Sequence, residues 1–146
     1  MAAVAAQWES ASAGEVQLLG TNLIHAPGLT PEQLKALDGI LYPDAFFAGD
    51  PNPAVQRFVS GYRQKYGEDP DYLAAQGYVV ARLLVKVLES GKSLSRPDLP
   101  QQLLALRGVP DLPWFQRFNR NREEEAALYL LTIKDGQVQM AAAIKP

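Results

Sequence analysis

PAVQRFVSGYRQKYGEDPDYLAAQGYVVARLLVKVLESG, residues 53–91, reads as two consecutive helices joined by the linker Tyr66-Gly67-Glu68-Asp69-Pro70. In the first helix Val55, Phe58, Val59, Tyr62 and Tyr66 recur at helical spacing, which gathers the large apolar groups on one face. Asn52 suits the N-cap, Pro53 loses nothing in the first turn, and Gly67 suits the left-handed residue just past the end. The second helix, over about 71–90, has a different pattern. Tyr72, Ala74, Ala75, Tyr78, Val79, Val80, Leu83, Leu84, Val85, Val87 and Leu88 cover most of its circumference. Only Gln76, Arg82, Lys86 and Glu89 mark a narrow polar stripe. Such a helix is expected to be buried on several sides by sheet or other helices. Its charges argue against a membrane span.

Around this pair, the composition is that of an ordinary globular chain: 146 residues, 47% apolar and 21% charged. A formal charge of −2 supplies no electrostatic reason to expect nucleic acid or an anionic membrane as partner. With no cysteine there are no disulfides, thiolate metal sites or cysteine nucleophiles. The first eight residues lack the basic and long apolar regions of a signal peptide. Glu123-Glu-Glu125 is the longest run of one charge and is expected in a solvated turn.

Upstream of the pair, residues 2–9 are compatible with a short helix and 10–14 with a turn. Glu15 to Gly20 reads as a strand, followed by a loop at 23–28 that carries the single histidine, His25. Thr30-Pro-Glu-Gln33 is a helix start with a capping box, cut short by Asp38-Gly39. Residues 39–42 form a second expected strand, and 43–52 a loop in which Phe46 and Phe47 look exposed, as a hinge or interface patch, although packing under a crossover is the plainer reading. Downstream, a helix is expected from Asp98 to about Leu106, stopped by Gly108 and Pro110. Pro113–Phe118 reads as a strand and Asn119–Glu125 as a polar turn. Leu128–Ile133 and Gln137–Ala141 flank Asp135-Gly136, the strongest hairpin signal in the chain. This order predicts an α/β fold with a parallel part and an antiparallel C-terminal part. The apolar helix has more surface than so few strands can cover.

The ordered signals Leu18-Leu-Gly-Thr-Asn22, Leu37-Asp-Gly-Ile-Leu-Tyr-Pro-Asp-Ala-Phe-Phe47, the Phe58/Tyr62/Tyr66-Gly67/Pro70 spacing and the Tyr72/Tyr78/Leu83-Leu84 spacing carry a resemblance. Together they resemble the C-terminal part of type 1 periplasmic substrate-binding proteins, of the leucine/isoleucine/valine-binding type, and related receptor-like lipoproteins. That resemblance implies two Rossmann-like lobes with ligand between them, of which this chain would hold an incomplete share ending in a β-hairpin. It places residues 1–47 in the second lobe, 48–110 in the first, and the strands of 111–146 back in the second. It implies a periplasmic or other extracytoplasmic parent, a small amino-acid-like ligand, and a membrane permease as partner. The same fold could instead serve as a receptor-like or activator domain that binds a protein. Homo-oligomerisation through the exposed apolar helices is a further expectation.

Thr21, Asn22 and His25 follow the C-terminal end of a strand, where open α/β sheets place ligand sites. The resemblance adds Asp38 as the partner of a ligand ammonium and Tyr72 as an aromatic cover for an apolar ligand. A carboxylate suits an ammonium removed from water. The plainer readings are a turn made by Asp38 with Gly39, a packing role for Tyr72 and Tyr78, and a surface position for His25. No nucleophile elbow frames Ser60 or Ser90, no phosphate-binding glycine loop is present, and the glutamates are sequential rather than convergent. The sequence therefore predicts binding without catalysis, and neither metal nor cofactor.

Overall fold

A computed structural model describes residues 17–25, 29–90, 93 and 95–144. The expected helix at 2–9, the turn at 10–14 and the first two residues of the expected strand at 15–20 lie outside these. A 3-10 turn, Asn22–His25, is followed by helix α1 (Pro31–Lys35), strand β1 (Leu41–Asp44) and helices α2 (Pro53–Tyr66) and α3 (Tyr72–Glu89). Helix α4 (Asp98–Ala105) and strands β2 (Arg107–Val109), β3 (Leu112–Phe118), β4 (Glu124–Ala126), β5 (Leu128–Lys134) and β6 (Gln137–Ile144) complete it.

The helix ends obey local chemistry. Thr30 and Gln33 form the reciprocal capping box of α1, with N–H···O distances of 3.3 and 2.9 Å. Asn52 accepts from Ala54 N–H at the start of α2, and Gly67 closes it at φ 78°. Asp71 accepts from Ala74 N–H at the start of α3 (2.8 Å). Asp135 and Gly136 both have positive φ, 53° and 73°, so the β5–β6 hairpin turns as the Asp-Gly pair predicts.

The strands form two three-stranded sheets, β1-β5-β6 and β2-β3-β4, with every named pair antiparallel. Among the described residues the expected parallel part is a single bridge between Leu19 and Leu41. Two hydrophobic clusters follow from this arrangement. In the first, α2, α3, β3 and Phe46 pack around Trp114, Phe115, Val55, Val59, Val79 and Leu83. In the second, Tyr42, Tyr129, Leu131 and Ile133 of β1 and β5 meet Ile24, Leu37 and Ile40. The chain passes between the clusters along residues 45–52 and again at Ala127, whose N–H donates to Trp114 C=O (3.0 Å).

Several expectations need correction. Phe46 is not an exposed patch but takes the plainer of its two readings: it packs edge-on against Phe58 and Trp114 at 5.7 and 5.5 Å. Helix α3 is not buried on several sides. Ala75, Val79, Leu83 and Val87 form its buried stripe, while Leu73, Val80 and Leu88 are 71%, 56% and 57% exposed. The residues Arg107–Val109, read as the end of a helix, form β2, with Gly108 at φ 49° allowing the bend. Glu124 and Glu125, read as part of a polar turn, lie on β4 opposite Phe118 and Arg117.

Glu124 has a cost. Its Oε1 is buried without a hydrogen-bond partner, and burial holds its carboxyl above the usual carboxylate range. The folded state thus binds this proton more tightly than the unfolded chain does. Its contribution favours folding at acid pH and is lost as pH rises through the folded pKa. Glu124→Gln should stabilise the protein at pH 7 by about 1 kcal/mol, low in the range because the group is only half buried. Thermal melts followed by circular dichroism should show this gain vanishing towards pH 4, where wild type is itself neutral at this position. An identical melt at pH 7 would contradict it.

Candidate functional site

The two clusters face each other across a groove of about 820 Å³. One wall comes from Leu29, Leu34, Leu131 and the hairpin residues Gly136, Gln137 and Val138. The other comes from the α2–α3 linker, Glu68 to Tyr72, with Tyr62 and Arg63 behind it. The crossing segment supplies the floor with Phe46, Phe47, Ala48, Gly49 and Pro51, flanked by Asp44 of β1 and Gln56 of α2.

Each wall is held by the local sequence. Asp44 accepts from Phe46 N–H (3.1 Å), the side-chain turn that leads the chain out of β1. Gln56 donates to the carbonyls of Ala48 and Asp50 (2.9 and 2.6 Å), fastening the floor to α2. Gly67 at positive φ and Pro70, buried, set the path of the linker. Arg63 pairs with Asp69 through Nε (2.7 Å), and Asp71 is occupied as the cap of α3. Asp44, Glu68, Asp69 and Asp71 stand against the single guanidinium of Arg63, so the lining carries an excess of negative charge. Leu29, Leu34, Phe47, Tyr72 and Val138 give it an apolar side. An apolar pocket with a few convergent polar groups is the usual form of a small-molecule site. Its polarity suits a ligand with an ammonium and an apolar body.

Tyr72 lines this groove at the start of α3, half-buried. Asp38 does not line it. Its Oδ1 accepts from Asp135 N–H (2.7 Å), so it holds the hairpin turn that brings Gly136 and Gln137 to the groove wall. Thr21 and Asn22 also stand outside the lining, at the end of the segment that runs beside β1, on the side of Asp44. They are separated from Asp38 by the length of β1, roughly 10 Å at the usual strand rise. The side chain of His25 lies outside the described residues. Tyr78 packs, its ring stacked on Phe58 at 4.5 Å. Glu68, Asp69 and Asp71 were not singled out from sequence, although an acidic run beside Tyr72 is a readable signal.

A second groove, about 700 Å³, runs between α2 and α3. It is lined by Phe58, Tyr62, Tyr66 and Tyr78, and its Arg57 and Arg82 both reach Asp111 (3.7 and 2.8 Å). Among the described residues, no group of three or more His, Cys, Asp or Glu side chains could hold a metal ion.

Two α/β clusters joined by crossing segments, with a lined groove at their junction, define part of a two-lobed binding protein. The sequence profile of the periplasmic binding protein family matches residues 2–137, and the chain belongs to that family. Solved structures agree on the fold. The leucine-binding protein LivK of Thermotoga maritima is 22% identical over 99% of this chain and 41% of its own, with a TM-score of 0.73. An ABC transporter substrate-binding protein of Desulfitobacterium hafniense, in complex with Leu, is 26% identical over 94% of this chain and 39% of its own, TM-score 0.76. A solute-binding protein of R. palustris in complex with benzoate is 22% identical over 99% and 41%, TM-score 0.72. This chain thus spans about two-fifths of the length of these proteins. No curated protein matches the chain.

Proposed function

We propose that the chain is the C-terminal portion of an extracytoplasmic solute-binding protein, which holds an amino-acid-like molecule without transforming it and delivers it to the permease of an ABC transporter. The observation that carries this reading is the groove at the junction of the clusters, apolar along Leu29, Leu34, Phe47 and Tyr72 and acidic along Asp44 and Glu68–Asp71. The cluster of β1, β5 and β6 belongs to the second lobe and the helix cluster to the first, with the crossings at 45–52 and 127. Because Leu112, Trp114 and Phe115 pack with the helices, the return crossing is assigned to 127 and not to 111, where the resemblance put it. Tyr72 covers the apolar body of the ligand. Asp38 supports the wall through the hairpin turn, and Thr21 and Asn22 border the mouth at the Asp44 end. The carboxylates attract the ammonium, and closure of the groove removes water from it. Ligand stabilises the closed arrangement by its stronger contacts there.

The test uses L-leucine, titrated into the 146-residue chain and followed by amide chemical shifts. Tyr72→Ala should weaken binding about tenfold, the loss of one buried aromatic contact, read at a temperature where the variant is still folded, because Tyr72 also packs against the first cluster. Equal affinity in wild type and variant would remove Tyr72 from the site.

The outer stripe of α3 favours a protein contact in addition. Leu73, Val80, Leu84 and Leu88 lie on one face, none of them in the buried clusters. We propose that this face mediates self-association of the chain.

A further inference from the structure

We propose that the hydrogen bond between the Tyr129 hydroxyl and the Asp50 carboxylate is a latch that sets the angle between the two clusters, and with it the width of the groove. The inference rests on the binding function proposed above for its consequence, but not for its geometry. Tyr129 Oη donates to Asp50 Oδ2 at 2.6 Å, joining residues 79 apart in sequence. Asp50 lies on the first crossing segment, which Gln56 fastens to α2, and Tyr129 lies on β5 in the second cluster, two residues beyond the second crossing at Ala127. The bond therefore ties the first crossing to the second cluster next to the second crossing.

Both ends are rigidly held. The other oxygen of Asp50 accepts from Asn52 N–H (2.7 Å), and its backbone carbonyl accepts from Gln56 (2.6 Å). The Tyr129 ring is buried in the second cluster and meets Phe47 at 6.1 Å, whereas the neighbouring Phe46 is buried in the first. Consecutive phenylalanines thus grip opposite clusters, and the latch lies next to that division. Ala48, Gly49, Pro51 and Gln56, on either side of Asp50, line the groove. A rotation of one cluster against the other must move the carboxylate relative to the hydroxyl. Hydrogen bonds to a charged group are the strong ones, so the latch favours one angle over its alternatives.

Tyr129→Phe removes one oxygen and keeps the ring. Tyr42→Phe is the matched control: its ring is buried in the same cluster, and its hydroxyl has no hydrogen-bond partner. Amide hydrogen exchange should accelerate about tenfold over 45–52 and 126–128 in Tyr129→Phe, while the interiors of α3 and β5 stay within about twofold of wild type. Tyr42→Phe should leave both crossings unchanged. Unaltered exchange at the crossings in Tyr129→Phe, or acceleration spread evenly through both clusters, overturns the proposal. If Tyr129→Phe does not fold, Asp50→Ala, which leaves the hydroxyl no acceptor at this position, serves in its place, with the same outcomes. Wild type that binds no L-leucine while the crossings loosen as expected overturns the binding function and leaves the latch standing.

Discussion

Trp114→Ala is expected to cost about 3–5 kcal/mol, enough to remove most of the stability of a chain of this size. Trp114 is 1% exposed and sits where three elements converge. Its ring meets Phe46 of the crossing segment edge-on at 5.5 Å and Phe58 of α2 at 5.9 Å, and β3 carries it against both. Phe46 and Phe58 also meet each other, at 5.7 Å, so the three rings form one triangle that joins the crossing segment, α2 and the second sheet. The indole Nε1 is buried without a hydrogen-bond partner, so the contribution of Trp114 is packing and not polar bonding. Alanine leaves a cavity that backbone movement fills only in part. Typical native stabilities are about 5–15 kcal/mol, so the variant should be largely unfolded or close to its midpoint at room temperature. Urea unfolding followed by far-UV circular dichroism measures this. Trp114→Phe, which keeps an aromatic ring in place, should lose clearly less. A loss below 1 kcal/mol for alanine would show that Trp114 is not the centre of the first cluster.

Val80→Glu combined with Leu84→Glu should lower the solution mass of the chain from an associated species to a monomer. Val80 and Leu84 lie at the middle of the outer stripe of α3, 56% and 40% exposed. With Leu73, Val85 and Leu88 the stripe offers roughly 500 Å² per copy, and two copies reach the roughly 1,000 Å² at which specific interfaces begin. An apolar face of about 500 Å² matches the largest patch of a typical monomer, and such patches often serve binding. Two glutamates at its centre would have to be buried unpaired on association, which costs more than the contact supplies. Light scattering over a concentration series reads the result. The far-UV spectrum should be unchanged, because neither side chain is buried in a cluster. A monomer in wild type, or an unchanged mass in the variant, would refute self-association through α3.

Much of the fold was legible because it is governed by neighbours in sequence. The caps of α1 and α2, the left-handed Gly67 and the Asp135-Gly136 turn each follow from residues within a few positions. The family resemblance rested on the ordered patterns at 18–22, 37–47, 58–70 and 72–84, and it held. What stayed hidden depends on partners far along the chain. The apolar count of α3 showed that the helix is built to be covered, but not that only the Ala75–Val79–Leu83–Val87 stripe is covered here. Strand β4 carries glutamates, and its pairing with β3 overrides their low strand preference. Strand β2 is three residues long and contains a glycine, too little pattern to read. Phe46 and Phe47 differ in environment because they flank the division between clusters, and no periodicity records that. The groove was only partly visible. Tyr72 was named from the resemblance, whereas Asp38 is engaged by Asp135, 97 positions away, and the carboxylates beside Tyr72 looked like an ordinary linker and cap.

The most direct test of the central claim is amide chemical-shift mapping during parallel titrations with L-leucine and with 4-methylpentanoate, the same carbon skeleton without the ammonium. L-leucine is predicted to shift the non-proline amides of 44–50, 68–72 and 136–138, all around one groove, and 4-methylpentanoate to bind at least about tenfold more weakly, as expected when a charged hydrogen-bond partner is lost. Shifts that fall elsewhere, or equal binding of the two compounds, would contradict an ammonium-selective site between the clusters.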